Sequence, residues 1–206
     1  MKLYDISQEV FTCAVFPGDP APERVELAKM SKGDPCDVTA VKMCAHNGTH
    51  LDAPSHFVKG GKTIDRLALG SFVGYACVIA HEGDITGDNV QTILESALKM
   101  DLDRGLNGEA LKRLLIKGSA TLTEEAAKVL AGRGILLYGN ESQTVGPKNA
   151  PMPVHLIMLG ADIVLLEGIR LGHVPEGVYL LSAAPLNLGG AEGAPCRAVL
   201  IDSEMR

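Results

Sequence analysis

Short apolar runs alternate with polar stretches punctuated by Gly and Pro, and the period of the apolar positions changes along the chain. Residues 4–10 alternate weakly and stop at Phe16-Pro17-Gly18-Asp19-Pro20-Ala21-Pro22, which predicts a strand entering a loop. Residues 25–30 and 37–45 read as two further strands, the second leading into a polar stretch over 45–57. Residues 70–81, dense in Val, Ile, Tyr and Phe, predict a buried strand. From 88 to 133 the texture turns helical: Val90, Ile93, Leu94 and Ala97 follow the i, i+3, i+4, i+7 spacing of an amphipathic helix. Residues 121–130 predict another, with Thr121 or Thr123 as its cap, Glu124 and Glu125 in the first turn and Gly132 past its end.

Residues 134–138 then predict a buried strand and 139–151 a loop. Pro153 suits the first turn of a short helix through Met158, stopped by Gly160, and 162–166 is an apolar strand. Strands over 178–182 and 197–202 flank a Gly-rich connection, 187–195. Without repeat, linker or low-complexity tract, residues 1–206 read as a single domain, long enough to bury roughly 70% of the unfolded surface.

Composition narrows the function. Asp and Glu number 25 against 19 Lys and Arg, a formal charge of −6, which repels a phosphate backbone, and 4% aromatic residues offer few stacking platforms. No nucleic-acid partner is expected. Five cysteines, odd in number and without a C-x-x-C pair, fit a reducing compartment, and most are expected as small core residues. Asp5 interrupts any apolar leader, and no run approaches the ~18 apolar residues of a membrane span. The expectation is a soluble cytoplasmic protein with no membrane partner.

Chemistry concentrates in His46-Asn47-Gly48-Thr49-His50-Leu51-Asp52-Ala53-Pro54-Ser55-His56, which holds three of the six histidines and a carboxylate. All four groups stand at even positions and would share one face of an extended chain. Full extension, however, separates residues 46 and 50 by about 13 Å, whereas two donors on one metal lie at most ~4 Å apart. The backbone must bend, and Asn47-Gly48 supplies the place. Pro54 turns the chain again before His56. Imidazole and carboxylate donors suit zinc, manganese or iron, and three ligands without cysteine leave a position open for water, unlike a closed structural zinc site. His56 beyond the proline reads as a general acid/base, with a fourth-ligand role as its competitor.

The pattern His46-x-Gly48-Thr49-His50-x-Asp52-x-Pro54-x-His56 resembles the motif of the metal-dependent cyclase-family hydrolases, which include bacterial kynurenine formamidases and isatin hydrolases. Tyr4-Asp5-Ile6-Ser7, Phe16-Pro17-Gly18-Asp19, Leu165-Leu166-Glu167-Gly168 and Ala194-Pro195-Cys196-Arg197-Ala198-Val199 extend the likeness through most of the chain. The resemblance implies an α/β fold, a mixed sheet with flanking helices of the swivelling β/β/α kind, in a homo-oligomer, dimer or tetramer. It implies one or two divalent metal ions, zinc first and manganese next, held by His46, His50 and Asp52 and, in two-metal members, by Asp52, His155 and Glu167. It also implies His56 as catalytic acid/base and Phe16 against the substrate. By residue order alone, His155 on a short helix and Glu167 at the end of the next strand can fold together, while Phe16 is equally a loop residue packed over the core.

The implied activity is hydrolysis of a small amide or cyclic amide, foremost N-formyl-L-kynurenine to kynurenine and formate, with isatin-type, other cyclic-imide or polyketide-cyclase-type activity as the alternative. A metal-containing binding protein without turnover is the non-enzymatic alternative. The family segment Gly-Ile-Asp-Thr reads Gly139-Asn140-Glu141-Ser142 in this chain, and 88–117 matches least. Rival motifs fail. Gly60-Gly61-Lys62-Thr63 lacks the first P-loop glycine, no Gly-x-Ser-x-Gly exists, and Gly189-Gly190-Ala191-Glu192-Gly193 reads as a flexible connection.

Overall fold

Apolar residues on both faces of the central strands dictate a sheet covered on two sides, and the computed structural model, described over residues 1–202, has that architecture. Among the described residues thirteen strands form: β1 (Lys2–Asp5), β2 (Glu23–Ala28), β3 (Val38–Lys42), β4 (His50–Asp52), β5 (Val73–Ala80), β6 (Gly83–Ile85), β7 (Arg113–Lys117), β8 (Ala120–Leu122), β9 (Leu137–Asn140), β10 (Val164–Glu167), β11 (Gly177–Ser182), β12 (Gly193–Pro195) and β13 (Val199–Asp202). The helices are the single turn α1 (Leu69–Phe72), α2 (Asn89–Asp103), α3 (Glu124–Ala131) and α4 (Met152–Gly160). Nine strands make one mixed sheet in the order β1-β13-β11-β5-β7-β9-β10-β4-β12, and β2-β3 and β6-β8 form two small ribbons. Its centre, β5-β7-β9-β10, is parallel. These strands are joined through α2, α3 and α4 in turn, as parallel neighbours require.

Period-two alternation splits the core. Cys77, Ile79, Leu114, Ile116, Tyr138 and Leu165 face α2, α3 and α4, while Val78, Leu115, Leu137, Val164 and Leu166 face a second cluster with Ile6, Leu51, Ile64, Phe72 and Leu200. The expected mixed α/β sheet is therefore present, with its three long helices gathered on one face. Among the described residues no helix is long and apolar enough to cross a membrane.

Several expectations need correction. The stretch read as helical over 88–133 contains the central strand β7 and the ribbon strand β8. Leu114-Leu115-Ile116 is buried on both faces, and such a run carries no alternation that distinguishes strand from helix. The first strand ends at Asp5, and Val10–Thr12 form a 3-10 turn capped by the Glu9 carboxylate. Residues 70–81 begin in α1 before entering β5. The Gly-rich connection includes β12, an edge strand paired with β4. Of the cysteines, Cys77 is buried and Cys36 exposed, the other three lying between, so most are not core residues. Thr123, rather than Thr121, caps α3 by accepting the Ala126 amide.

Candidate metal centre

The required bend forms between His46 and His50. Cys44 N donates to Asn47 Oδ1 at 2.8 Å, the buried Asn47 amide donates to Pro20 O at 3.1 Å, and Gly48 turns the chain at φ +68°. That left-handed conformation is free to glycine and strained for other residues. The chain then straightens into β4, wedged between β10 and β12, with His50 paired across from Glu167 and Asp52 across from Gly193. His50 and Asp52 face the helices, and Leu51 faces the other core. Thr49 locks the approach: its hydroxyl donates to Gly168 O at 2.8 Å and accepts the Gln8 amide at 2.9 Å. Pro54 opens a 3-10 turn, Pro54–His56, that places His56 back over the cluster.

From the far end of the chain, α4 carries His155 in its second turn and β10 ends in Glu167. Two overlapping donor groups result, His46-His50-Asp52 and Asp52-His155-Glu167, each with its ligand atoms within 4.8 Å of one another. Asp52 belongs to both. His46 Nδ1 is 2.8 Å from Asp52 Oδ1, His155 Nε2 is 3.1 Å from Glu167 Oε1 and 3.6 Å from Asp52 Oδ2, and His50 Nε2 is 3.4 Å from both Asp52 Oδ1 and Glu167 Oε2. The structure thus brings together all five sequence-derived ligand candidates.

The donor chemistry fits a divalent cation. His50 Nε2 and Asp52 Oδ2 are buried without a hydrogen-bond partner, the condition of atoms reserved for a ligand. The outward nitrogens of two rings are already engaged, since His50 Nδ1 lies 3.1 Å from Gly48 O and His155 Nδ1 lies 2.8 Å from Pro151 O. As donors to those carbonyls they leave both Nε2 atoms aimed at the cluster, available as ligands once deprotonated, which is how metal-ligating histidines are oriented. Two buried carboxylates also need positive charge nearby.

Electrostatics follow from that packing. Burial works to raise the Asp52 pKa, but the His46 and His50 rings outweigh it and hold the carboxylate well below its ordinary range. Burial likewise opposes the charge on His50, yet Asp52 and Glu167 together push it up to about 10. His46 and His155 are raised despite burial, chiefly by Asp52 and by Glu167 respectively. His56 goes the other way, because burial lowers its pKa more than Asp52 raises it. Its ring stacks on His46 at 4.2 Å between centroids and meets the Phe57 ring edge-on at 4.4 Å.

Phe16 lines a separate cavity of about 320 Å³ with Val15, Pro17, Gln143, Lys148 and Arg170, and none of the five clustered donors lines it. The departure at 140–142 is structural. Glu141 accepts the Gly118 and Leu171 amides at 2.7 Å each, and the Asn140 side chain is directed at Ala120 O and Thr144 O. Sequence reasoning missed Phe57, the Glu192 carboxylate 3.3 Å from His46 Nε2, and Gly193, where a Cβ would lie 2.9 Å from His46 Cε1. Phe57 adjoins the motif and was within reach of the sequence, whereas Glu192 and Gly193 gave no local signal.

The buried His/Asp/Glu cluster at the end of a mixed sheet, with a further histidine stacked upon it, has the donor set of a site that could hold a divalent metal. The Cyclase family model ("Putative cyclase") matches residues 4–147, and the chain belongs to that family. A kynurenine formamidase of Salinibacter ruber is 32% identical over 219 residues, covering 98% of this chain and 99% of the relative. A solved structure described as a potential metal-dependent hydrolase with cyclase activity superimposes with a TM-score of 0.77 at 27% identity, covering 98% of each chain. Isatin hydrolase A of Labrenzia aggregata shares the fold, with a TM-score of 0.77 at 21% identity over 98% of this chain and 94% of the other. This protein is thus a cyclase-family hydrolase.

Proposed function

We propose that this chain hydrolyses a small aryl formamide, N-formyl-L-kynurenine, to kynurenine and formate. The observation that carries the reading is the convergence of His155 and Glu167 on Asp52, which offers a second donor group beside His46, His50 and Asp52 in a chain similar over nearly its full length to a kynurenine formamidase. His46, His50 and Asp52 would hold one cation and Asp52, His155 and Glu167 a second, with zinc as the first choice for this nitrogen and oxygen set and manganese the next. A divalent cation bound there acidifies water and polarises a carbonyl oxygen.

The chain supplies the rest. His56, kept neutral near pH 7 by burial, accepts a proton from water at a ring nitrogen and returns it to the departing amine nitrogen. Phe57 walls His56 and His155, at 4.4 and 4.8 Å between ring centroids, and limits water around them. Phe16 would grip the aryl ring. In support, its cavity includes Gln143 and Thr144, next to Val145, whose amide donates to Glu167 at 2.9 Å. Exposed Val25, Leu27, Val38 and Val41 on the β2-β3 ribbon favour a homo-oligomer that covers them, and the free cysteines favour the cytoplasm.

The test is to load the protein with zinc or manganese and assay N-formyl-L-kynurenine, isatin and cyclic imides side by side. Preferred turnover of the formamide supports the proposal, and turnover of isatin or an imide alone overturns it. His56→Ala should keep its metal and lose about 10²–10⁴ in kcat. Unchanged turnover would remove His56 from the chemistry, and a metal content that never exceeds one per chain would remove the second site.

A further inference from the structure

Three histidines face the cluster, and they are oriented in two different ways. His50 and His155 point their outward nitrogens at backbone carbonyls, Gly48 O and Pro151 O. His46 instead places Nε2 3.3 Å from the Glu192 carboxylate while Nδ1 faces Asp52 at 2.8 Å. We propose that Glu192 is a positioning residue for His46: it accepts the Nε2 hydrogen, so that the ring presents the Nδ1 lone pair to the metal. This inference rests on the metal reading of the cluster.

The placement of Glu192 is built into the sheet. Its carbonyl accepts the Ala53 amide at 2.8 Å, and Ala191 O accepts the Ile64 amide at 2.9 Å, so the backbone around Glu192 is tied to the exit of β4 and to the turn that begins at Ile64. Gly193 follows directly, lies across from Asp52, and by lacking a Cβ leaves the His46 ring room to sit against the edge strand. The His46 side chain is 13% exposed and that of Glu192 46%, so the carboxylate reaches the ring from the solvent side, one imidazole away from the donor cluster. A carboxylate behind a ligating histidine fixes its tautomer and raises its basicity, and loss of such a partner typically costs 10–100-fold in metal affinity. Because His56 stacks on the same ring with an interplanar angle of 29°, the orientation of His46 also sets the platform for the acid/base.

The experiment compares Glu192→Ala and Glu192→Gln with the unaltered protein, using zinc affinity by chelator competition and the visible spectrum of the Co²⁺-loaded protein, with circular dichroism as a folding control. Glu192→Ala should bind zinc 10–100-fold more weakly and shift the Co²⁺ bands. Glu192→Gln, whose amide oxygen still accepts the Nε2 hydrogen, should recover most of the affinity and the original bands. An Ala variant with unchanged affinity and spectrum, or a Gln variant as weak as Ala, overturns the proposal. If the unaltered protein binds neither ion, it is the metal reading that fails.

Discussion

Metal binding at this centre must displace a proton from His50, and that makes affinity depend on pH well above the usual range of histidine. The ring is buried between Asp52 and Glu167 at 3.4 Å from each, and although burial resists its charge, the carboxylates hold its pKa at about 10. A ligating imidazole is neutral, so every binding event below that pH releases the His50 proton. Affinity should therefore rise about tenfold per pH unit, or about 100-fold from pH 6.5 to 8.5. A histidine at its ordinary value of 6.5 would give a profile already flat above about pH 7.5. The raised pKa values of His46 and His155 can only steepen the slope. Chelator competition across this interval gives the slope, and calorimetry in two buffers of different protonation enthalpy counts the protons, with at least one released per chain expected at pH 7.5. A flat affinity above pH 7 with no proton release would refute the argument. The same shifts fix the stability of the metal-free protein. The His50 contribution is complete below its unfolded value near 6.5 and is lost as pH climbs toward 10. That of Asp52 is present above its unfolded value near 3.8 and is lost as pH falls through its lower folded value. The metal-free Tm should decline from pH 7 to 9, and added metal should reverse the decline.

Other substitutions separate the parts of the site. Gly193→Ala would set a Cβ 2.8 Å from Leu51 O and 2.9 Å from His46 Cε1, and the displaced ring should weaken zinc binding about 10–100-fold, read by the same competition. Gly61→Ala would press on the Pro54 carbonyl carbon at 2.7 Å, in the turn that carries His56, so kcat should fall while zinc affinity holds. Equal losses of both would show that the turn and the ligands move together. Glu141→Gln turns one of two satisfied carboxylate oxygens into a donor facing an amide hydrogen, and urea unfolding should show a loss of about 1–3 kcal/mol with metal content unchanged.

The sequence by itself determined what lies close along the chain. Asn47-Gly48 announced a bend and Pro54 a turn, so His46, His50, Asp52 and His56 could be placed around one point from the limits of backbone reach. Helices α2 and α3 were legible because each buries one face, which the 3.6-residue period records, and α4 because Pro153 marks its start and Gly160 its end. The pairing of that motif with His155 and Glu167, about a hundred residues later, was visible only through a family resemblance. Strand order decides it: β4 inserts antiparallel beside β10, and the register sets His50 across from Glu167. Strand β7 escaped notice because burial on both faces erases alternation, and β12 because a Gly-Ala-Pro run carries no strand propensity of its own. The role of Glu192 escaped notice for a related reason. A Gly-rich segment has no local preference strong enough to state its conformation, so only the edge of a folded sheet could give it one and bring a carboxylate to His46.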